Sequence, residues 1–179
     1  MSELSMCDSV KSSSRLERLL LLVTALLCGT LTMVVGVLGS RGIGPFFGVS
    51  LFVWSALIAV TMIALAFGYA FGGWLSDRYP KADALYGLIA TAGVLVVLIP
   101  LIKGPVLAAC VPLGLRVGAF AGSLILFGHS LLMLGCVSPY LVRIAAREVS
   151  SLGRTVGSLY ALSTLGSVIG TVTTGFLLI

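Results

Sequence analysis

The stretch LFVWSALIAVTMIALAFGYAFGGWL, residues 51–75, contains no charged side chain and decides the class of this protein. A run of about 18 or more apolar residues is long enough to cross the hydrocarbon of a bilayer as an α-helix. Hydrophobic residues make up 59% of the 179 residues and charged residues only 9%, with a mean hydropathy of +1.18. Backbone N–H and C=O groups in lipid must pair internally, so the expected fold class is all-α, a polytopic transmembrane helical bundle.

Charged and helix-breaking residues divide the chain into about five predicted spans. We expect residues 1–14 to form a polar cytoplasmic tail and residues 15–179 to form the transmembrane domain. Glycine and proline in Arg41–Pro45 predict a break after the first span, and Lys103–Pro105 predicts the end of the third. The predicted spans are residues 18–39, 47–75, 83–102, 117–142 and 156–178, with residues 106–115 as an outer or re-entrant segment.

The stretch from Val106 to Ile144 allows two interpretations, one crossing or two. Two crossings would need roughly 40 residues plus a turn, and they would place Arg116 inside the membrane. With five spans and a cytoplasmic N-terminus, eight basic residues lie inside and three lie outside, whereas an additional crossing changes this to five against six. The positive-inside rule therefore favours five spans in the cell (inner) membrane, with the N-terminus in the cytoplasm and the C-terminus outside.

Composition argues against several other classes of protein. The net charge is +5, but the basic residues lie at segment ends and form no stripe, so no nucleic-acid partner is expected. The four cysteines, Cys7, Cys28, Cys110 and Cys136, have no metal-ligand spacing. We therefore expect no metal, no cofactor and no disulfide.

Small residues four positions apart predict close contacts between helices. We single out the pairs Gly68/Gly72, Gly118/Gly122 and Gly166/Gly170. This spacing lets two helix backbones approach each other in lipid, where packing rather than the hydrophobic effect drives association. Packing within the chain is the simpler interpretation, and a face for a homo-oligomer is the alternative.

Polar side chains inside the predicted spans are the candidate functional residues. An ionisable group as deep as His129 raises a functional hypothesis. A neutral imidazole bonded to Ser130 or to a neighbouring carbonyl is the favoured alternative, because the spans contain no Asp or Glu to pair with it. Hydroxyls in the last span either line a pathway or bond back to their own helix, and the second arrangement is commoner. The candidate set is Arg41, His129, Ser163, Thr164, Ser167 and Thr171.

Two blocks of sequence carry a family likeness. The first runs from Gly39-Ser40-Arg41 and Pro45-Phe46-Phe47-Gly48 to Gly72-Gly73-Trp74-Leu75-Ser76-Asp77-Arg78-Tyr79-Pro80, and the second joins Ser138-Pro139-Tyr140 to residues 157–171 and Gly175-Phe176. Together they resemble the membrane region of fused spermidine-synthase-like proteins, whose spans are similar to the major facilitator superfamily. Within the first block, Gly73, Leu75, Asp77 and Arg78 resemble that superfamily's cytoplasmic loop signature. Asp77 and Arg78 are either a latch between helices or a turn that sets topology.

The resemblance implies a partial major-facilitator-like unit that transports a small solute, such as a polyamine or another small cation. One departure weakens this expectation: Gly36 stands where the family carries a glutamate, the natural site for a cation. The sequence also ends at Ile179, before the family's soluble aminopropyltransferase domain. It contains no glycine-rich nucleotide loop and no acidic pair, so no enzymatic activity is expected.

The alternative function is a non-catalytic membrane anchor or complex subunit for a separately encoded synthase-like partner. The cytoplasmic segments Asp77–Asp83 and Arg143–Arg154 would then form the docking surface. The expected partners are thus the lipid bilayer together with a second copy of the chain or a soluble synthase-like protein.

Overall fold

The computed structural model describes residues 2–48, 50–79, 82–145 and 152–177, and these residues contain helices and no strand. The helices are α1 (Ser2–Phe47), α2 (Leu51–Arg78), α3 (Ala82–Cys110), α4 (Gly114–Ser123), α5 (His129–Ala145) and α6 (Leu152–Leu177). A 3₁₀ turn (Val111–Leu113) joins α3 to α4, and a π-helical turn (Leu124–Gly128) joins α4 to α5. The predicted all-α class is therefore confirmed.

Four helical stretches are long and apolar enough to cross a membrane: Leu19–Phe47, Leu51–Arg78, Asp83–Ala145 and Gly153–Leu177. Large apolar side chains also point outward from them, and Leu51 and Phe176 are each 84% exposed. Helices that are apolar on their outer as well as their inner faces are typical of membrane spans. The composition of these helices therefore fits a membrane-embedded protein.

The predicted break at Arg41–Pro45 is wrong, because α1 continues through it to Phe47. Ile43 and Phe47, one turn apart, are both buried and hold this end of α1 against the other helices. Pro45 has no N–H to donate to the carbonyl of Arg41, four positions earlier, so α1 lacks this one helical hydrogen bond. The helix ends at Gly48, whose φ of +74° favours glycine and whose N–H donates to the Gly44 carbonyl at 2.8 Å.

The predicted end of the third span at Lys103–Pro105 is also wrong. α3 continues to Cys110 with Pro100 and Pro105 inside it, and the buried side chain of Leu107 packs in the core beyond them. Residues 106–115 therefore do not form a separate segment: they complete α3, make the turn and begin α4. Gly114 closes the turn with φ +81° and ψ 171°, a combination that glycine alone adopts readily.

From Gly114 to Ala145 the chain stays helical, and we call this stretch the fourth arm. Two crossings between Val106 and Ile144 would require a turn near the middle of that stretch, but the turn described there lies close to its beginning. The predicted span 117–142 falls inside the fourth arm. The predicted spans 47–75 and 156–178 correspond to α2 and α6 with ends shifted by a few residues, residue 178 lying outside the described ranges.

α2 and α5 are in backbone contact at Gly68 and Gly72. A Cβ atom added at Gly68 would lie 2.5 Å from the Leu132 carbonyl oxygen, and one added at Gly72 would lie 2.5 Å from Cys136 Cα. A step of four residues along α2 thus matches a step of four along α5, so these helices run parallel. The absence of side chains at both glycines is what permits this approach.

α1 and α6 form a second parallel pair of the same kind. Gly166 faces the Leu26 carbonyl, and Gly170 faces Thr30, where an added Cβ would lie 2.6 Å from the carbonyl oxygen. The Thr30 hydroxyl donates to the Gly166 carbonyl at 3.0 Å, which joins the two helices by a hydrogen bond. Hydroxyl-to-carbonyl bonds of this type stabilise helix pairs where water is absent.

α3 packs antiparallel against the fourth arm. At the turn, an added Cβ at Gly122 would lie 2.9 Å from Leu107 Cδ2, and Gly118 meets the Cys110 carbonyl. At the other end, Leu85 of α3 shares a buried cluster with Tyr140 of α5. All three glycine pairs singled out in the sequence therefore lie at helix contacts within the chain.

Candidate functional site

A cleft of about 380 Å³ lies between α1, α3 and the π-helical turn. Its volume is within the range of ligand pockets, about 300–1,000 Å³. Its floor is formed by the buried side chains of Val35, Leu126 and Phe127, while the side chains at its rim are exposed. We call it the Arg41–Lys103 cleft, and it is lined by Val35, Leu38, Arg41, Gly42, Val96, Ile99, Pro100, Lys103, Leu126 and Phe127.

Helical spacing explains which residues reach this cleft. On α1 and on α3 the lining positions recur every three or four residues, so each helix contributes one face. The floor comes from the π-helical turn, a rare geometry that is frequent at functional sites. A Cβ added at Gly39 would lie 3.2 Å from Phe127 Cζ, so the missing side chain lets this ring rest against α1.

The cleft is cationic. Among the described residues that line it, Arg41 and Lys103 are the only charged ones. The sequence has no Asp or Glu between residues 19 and 76 or between residues 84 and 147. Asp77 and Asp83 lie at the opposite end of the helices, because α2 runs antiparallel to α1 and α3 begins near Asp83. The cleft therefore complements an anion.

The predicted candidate residues are not brought together in one site. Arg41 lines the cleft, but His129 is exposed and does not line it. The His129 Nδ1 atom lies 3.4 Å from the Ile125 carbonyl of its own helical run, a contact too long for a strong hydrogen bond.

Three of the four candidate hydroxyls of α6 bond to carbonyls of their own helix. Thr164 donates to Tyr160 at 2.9 Å, Ser167 to Ser163 at 3.0 Å and Thr171 to Ser167 at 2.8 Å. Ser163 and Ser167 face α1, whereas Thr164 and Thr171 are exposed. None of these hydroxyls lines the Arg41–Lys103 cleft.

The cytoplasmic loop signature contacts α5. Asp77 Oδ1 lies 3.6 Å from Arg143 Nε, and both side chains are more than half exposed. Beside this pair the buried Tyr140 hydroxyl donates to the Tyr79 carbonyl. The described geometry thus ties the end of α2 to α5 by one exposed ion pair and one hydrogen bond.

The other signature residues take no part in that ion pair. Leu75 packs against the buried cluster around Tyr140, whereas Gly73 has open space around an added Cβ. The Arg78 guanidinium lies 6.0 Å from the centre of the Trp74 ring, at the limit of a cation–π contact.

Sequence reasoning missed two parts of the cleft, Lys103 and the π-helical turn. The sequence predicts the end of a span at Lys103, although a lysine inside an apolar helix is itself a signal for a functional site. Leu126 and Phe127 carried no such signal, because an apolar stretch gives no indication of a π-helical turn.

Among the described residues no group of three or more His, Cys, Asp and Glu side chains is placed to hold a metal ion. Comparisons with protein-family models, with curated proteins and with solved structures give no match to this chain. The resemblance to the membrane region of spermidine-synthase-like proteins therefore rests on the quoted sequence blocks alone and stays a prediction.

Proposed function

We propose that this chain is an integral membrane protein with five crossings that acts as a transporter-like unit for a small solute bound in the Arg41–Lys103 cleft. One observation carries the proposal: two cationic side chains from different helices border an apolar cavity of ligand size. A cavity of this size with a few convergent polar groups is a candidate binding site, and arginine and lysine donate charge-assisted hydrogen bonds to anionic groups.

Helix directions support five crossings. α1 and α6 run parallel, α2 and α5 run parallel, and α3 runs antiparallel to the fourth arm. α3, at 29 residues, is roughly 44 Å long, against a hydrocarbon core of about 30 Å. The division of basic residues, eight against three, favours a cytoplasmic N-terminus.

The charge of the cleft favours an anionic solute over a polyamine. A cation between Arg41 and Lys103 would meet two like charges and no carboxylate of the chain. Each repulsion amounts to about 4 kcal/mol at 4 Å and an effective dielectric constant of 20. Gly36, which stands where the resembling family has a glutamate, offers no compensating charge. A polyamine thus stays an expectation of the resemblance alone.

Transport is tested in liposomes that contain the purified protein, with small organic anions as one set of solutes and spermidine as the other. The variant is Arg41→Gln with Lys103→Gln. Arg116→Gln is the control, because Arg116 lies near the same end of the helices but sits 4.8 Å over the Phe52 ring and does not line the cleft. We expect uptake of an anion that the double substitution abolishes and the control retains.

Two outcomes would contradict the proposal in different ways. Spermidine uptake that depends on Arg41 and Lys103 would refute the charge argument and would favour a polyamine as the transported solute. Absence of flux for every solute, with correctly folded protein in the liposomes, would refute transport.

The anchor function has an observation of its own, the exposed ion pair at the cytoplasmic end. Asp77 and Arg143 are 78% and 54% exposed, so a partner has access to both charges. A pull-down in mild detergent tests this alternative: a stoichiometric partner that Asp77→Ala and Arg143→Ala release would support it, and recovery of the chain without a partner would count against it.

A further inference from the structure

We propose that the ligand of the Arg41–Lys103 cleft is an anionic phospholipid, with its phosphate between the two cations and an acyl chain along the apolar floor. The inference rests on the proposed function, since it uses the same cleft as the binding site. It replaces the small soluble anion of that proposal by a phospholipid, and the experiments below distinguish the two classes of ligand.

The depth of the two cations matches a lipid headgroup. Arg41 lies six residues before the end of α1 and Lys103 seven before the end of α3, or about 9 and 10 Å along each helix axis. The apolar stretch Leu19–Phe47 has 29 residues, so it extends about 7 Å beyond a 30 Å hydrocarbon core at each end. Both charges therefore lie near the boundary between hydrocarbon and headgroups, where phosphates are found.

The lining of the cleft favours a lipid over a free anion. Its other members are apolar side chains, a glycine and a proline, and the rim residues Leu38 and Pro100 are exposed toward the surrounding medium. A small soluble anion would occupy only the charged end and leave the buried floor at Leu126 and Phe127 empty. An acyl chain fills that floor, while a phosphate accepts charge-assisted hydrogen bonds from arginine and lysine.

The two cations act on one cavity from two helices, which differs from the general attraction of basic residues to a membrane surface. Basic pockets between transmembrane helices on the cytoplasmic side bind anionic headgroups, and the Arg41–Lys103 cleft has the same composition at the other end of the helices. Arg116, near the same end, instead lies over the Phe52 ring. A specific lipid site therefore depends on Arg41 and Lys103, whereas general surface attraction would depend equally on all three cations.

The test is native mass spectrometry of the full chain after removal of co-purified lipid in neutral detergent. Phosphatidylglycerol and phosphatidylcholine with identical acyl chains are added in separate titrations. We expect the adduct with phosphatidylglycerol to exceed the other by about tenfold, because both lipids offer a phosphate to the two cations but only phosphatidylcholine adds a quaternary ammonium, which Arg41 and Lys103 repel. Arg41→Gln with Lys103→Gln abolishes this preference, and Arg116→Gln retains it.

A second pair of variants tests whether an acyl chain occupies the cleft, without changing any charge. A Cβ at Gly42 meets nothing within 4 Å, and Gly42 lines the cleft, so Gly42→Leu fills the cleft without a backbone clash. Gly36→Leu is the matched control, because position 36 also has open space but does not line the cleft. We expect Gly42→Leu to lose phosphatidylglycerol binding and Gly36→Leu to keep it, with both proteins monodisperse and helical by circular dichroism.

A third titration uses soluble anions, inorganic phosphate and glycerol 3-phosphate. Binding of these anions that survives Gly42→Leu, without a preference for phosphatidylglycerol, would overturn the lipid inference and leave the proposed transport of a small anion standing. Equal binding of the two lipids by the wild-type protein would also overturn the inference. Lipid binding as expected, with no solute flux in liposomes, would support the inference and refute transport.

Discussion

Gly72 and Gly73 are adjacent glycines of α2 that the structure predicts to differ sharply when changed to alanine. An added Cβ at Gly72 would lie 2.5 Å from Cys136 Cα and 2.6 Å from the Cys136 carbonyl oxygen. An added Cβ at Gly73 meets nothing within 4 Å. Both substitutions introduce the same methyl group into the same helix, so the contact with α5 is the difference between them.

The size of the effect follows from these distances. Non-bonded carbon atoms prefer a separation of about 3.5–4.0 Å, so α2 and α5 must separate locally by about 1 Å to admit the methyl group at Gly72. Overpacking of this kind destabilises by about 1–3 kcal/mol. The gain in helix propensity, up to about 1 kcal/mol, applies to both variants and cancels in the comparison. We therefore expect Gly72→Ala to be about 1–3 kcal/mol less stable than Gly73→Ala.

The free energies of unfolding are compared in mixed micelles, by titration with a denaturing detergent and detection by circular dichroism. Equal stability of the two variants would refute the backbone contact between α2 and α5. Gly68→Ala extends the test, because an added Cβ there lies 2.5 Å from the Leu132 carbonyl oxygen. A loss at Gly72 alone would indicate that the helices meet at a point rather than along two turns.

Three further predictions test contacts at the α2–α5 end and at the outer surface. The Asp77–Arg143 pair is exposed, so a double-mutant cycle with alanine at both positions should give a coupling energy below about 1 kcal/mol. A coupling energy above about 2 kcal/mol would indicate a buried latch. Tyr140→Phe removes a buried donor to the Tyr79 carbonyl and should lower the free energy of unfolding by about 0.5–1.5 kcal/mol, whereas an unchanged value would refute that bond. The exposed His129 ring makes only one weak contact, so His129→Phe should change the free energy of unfolding by no more than about 0.5 kcal/mol. Loss of solute uptake in a folded variant would give His129 a functional role.

Composition predicted the helical class because the constraint behind it is strong. Apolar runs near Leu51–Leu75 have a single stable backbone form in lipid, and the glycine spacing marks where two such helices meet. Helix ends were harder to predict. Pro45 and Pro105 have low helix propensity. Burial of Ile43 and Leu107 in tertiary contacts nonetheless keeps both stretches helical, because tertiary packing outweighs the helix propensity of a single residue.

The cleft was harder still to predict, because it depends on pairing between distant segments. Arg41 is a candidate in the sequence because it is a charge in an apolar stretch. Nothing in the sequence places it beside Lys103, 62 positions further along the chain. Their proximity follows from the turn at Gly114, which returns the chain along α3, and from the π-helical turn that fills the space between α1 and α3. Both features result from packing between distant segments, which a local sequence pattern does not encode.

The two ends of the bundle differ in how their charges are balanced, and this difference bears on function. At the end of α2, Asp77 supplies a counter-charge to Arg143. At the other end, Arg41 and Lys103 border one cleft with no acidic residue near them in the sequence. Two like charges that border one cleft repel each other. An anion bound there, as we propose, would offset this repulsion and would stabilise the folded chain by about 2.7 kcal/mol at a ligand concentration 100 times the Kd. On that proposal, ligand binding is coupled to the packing of α1 against α3.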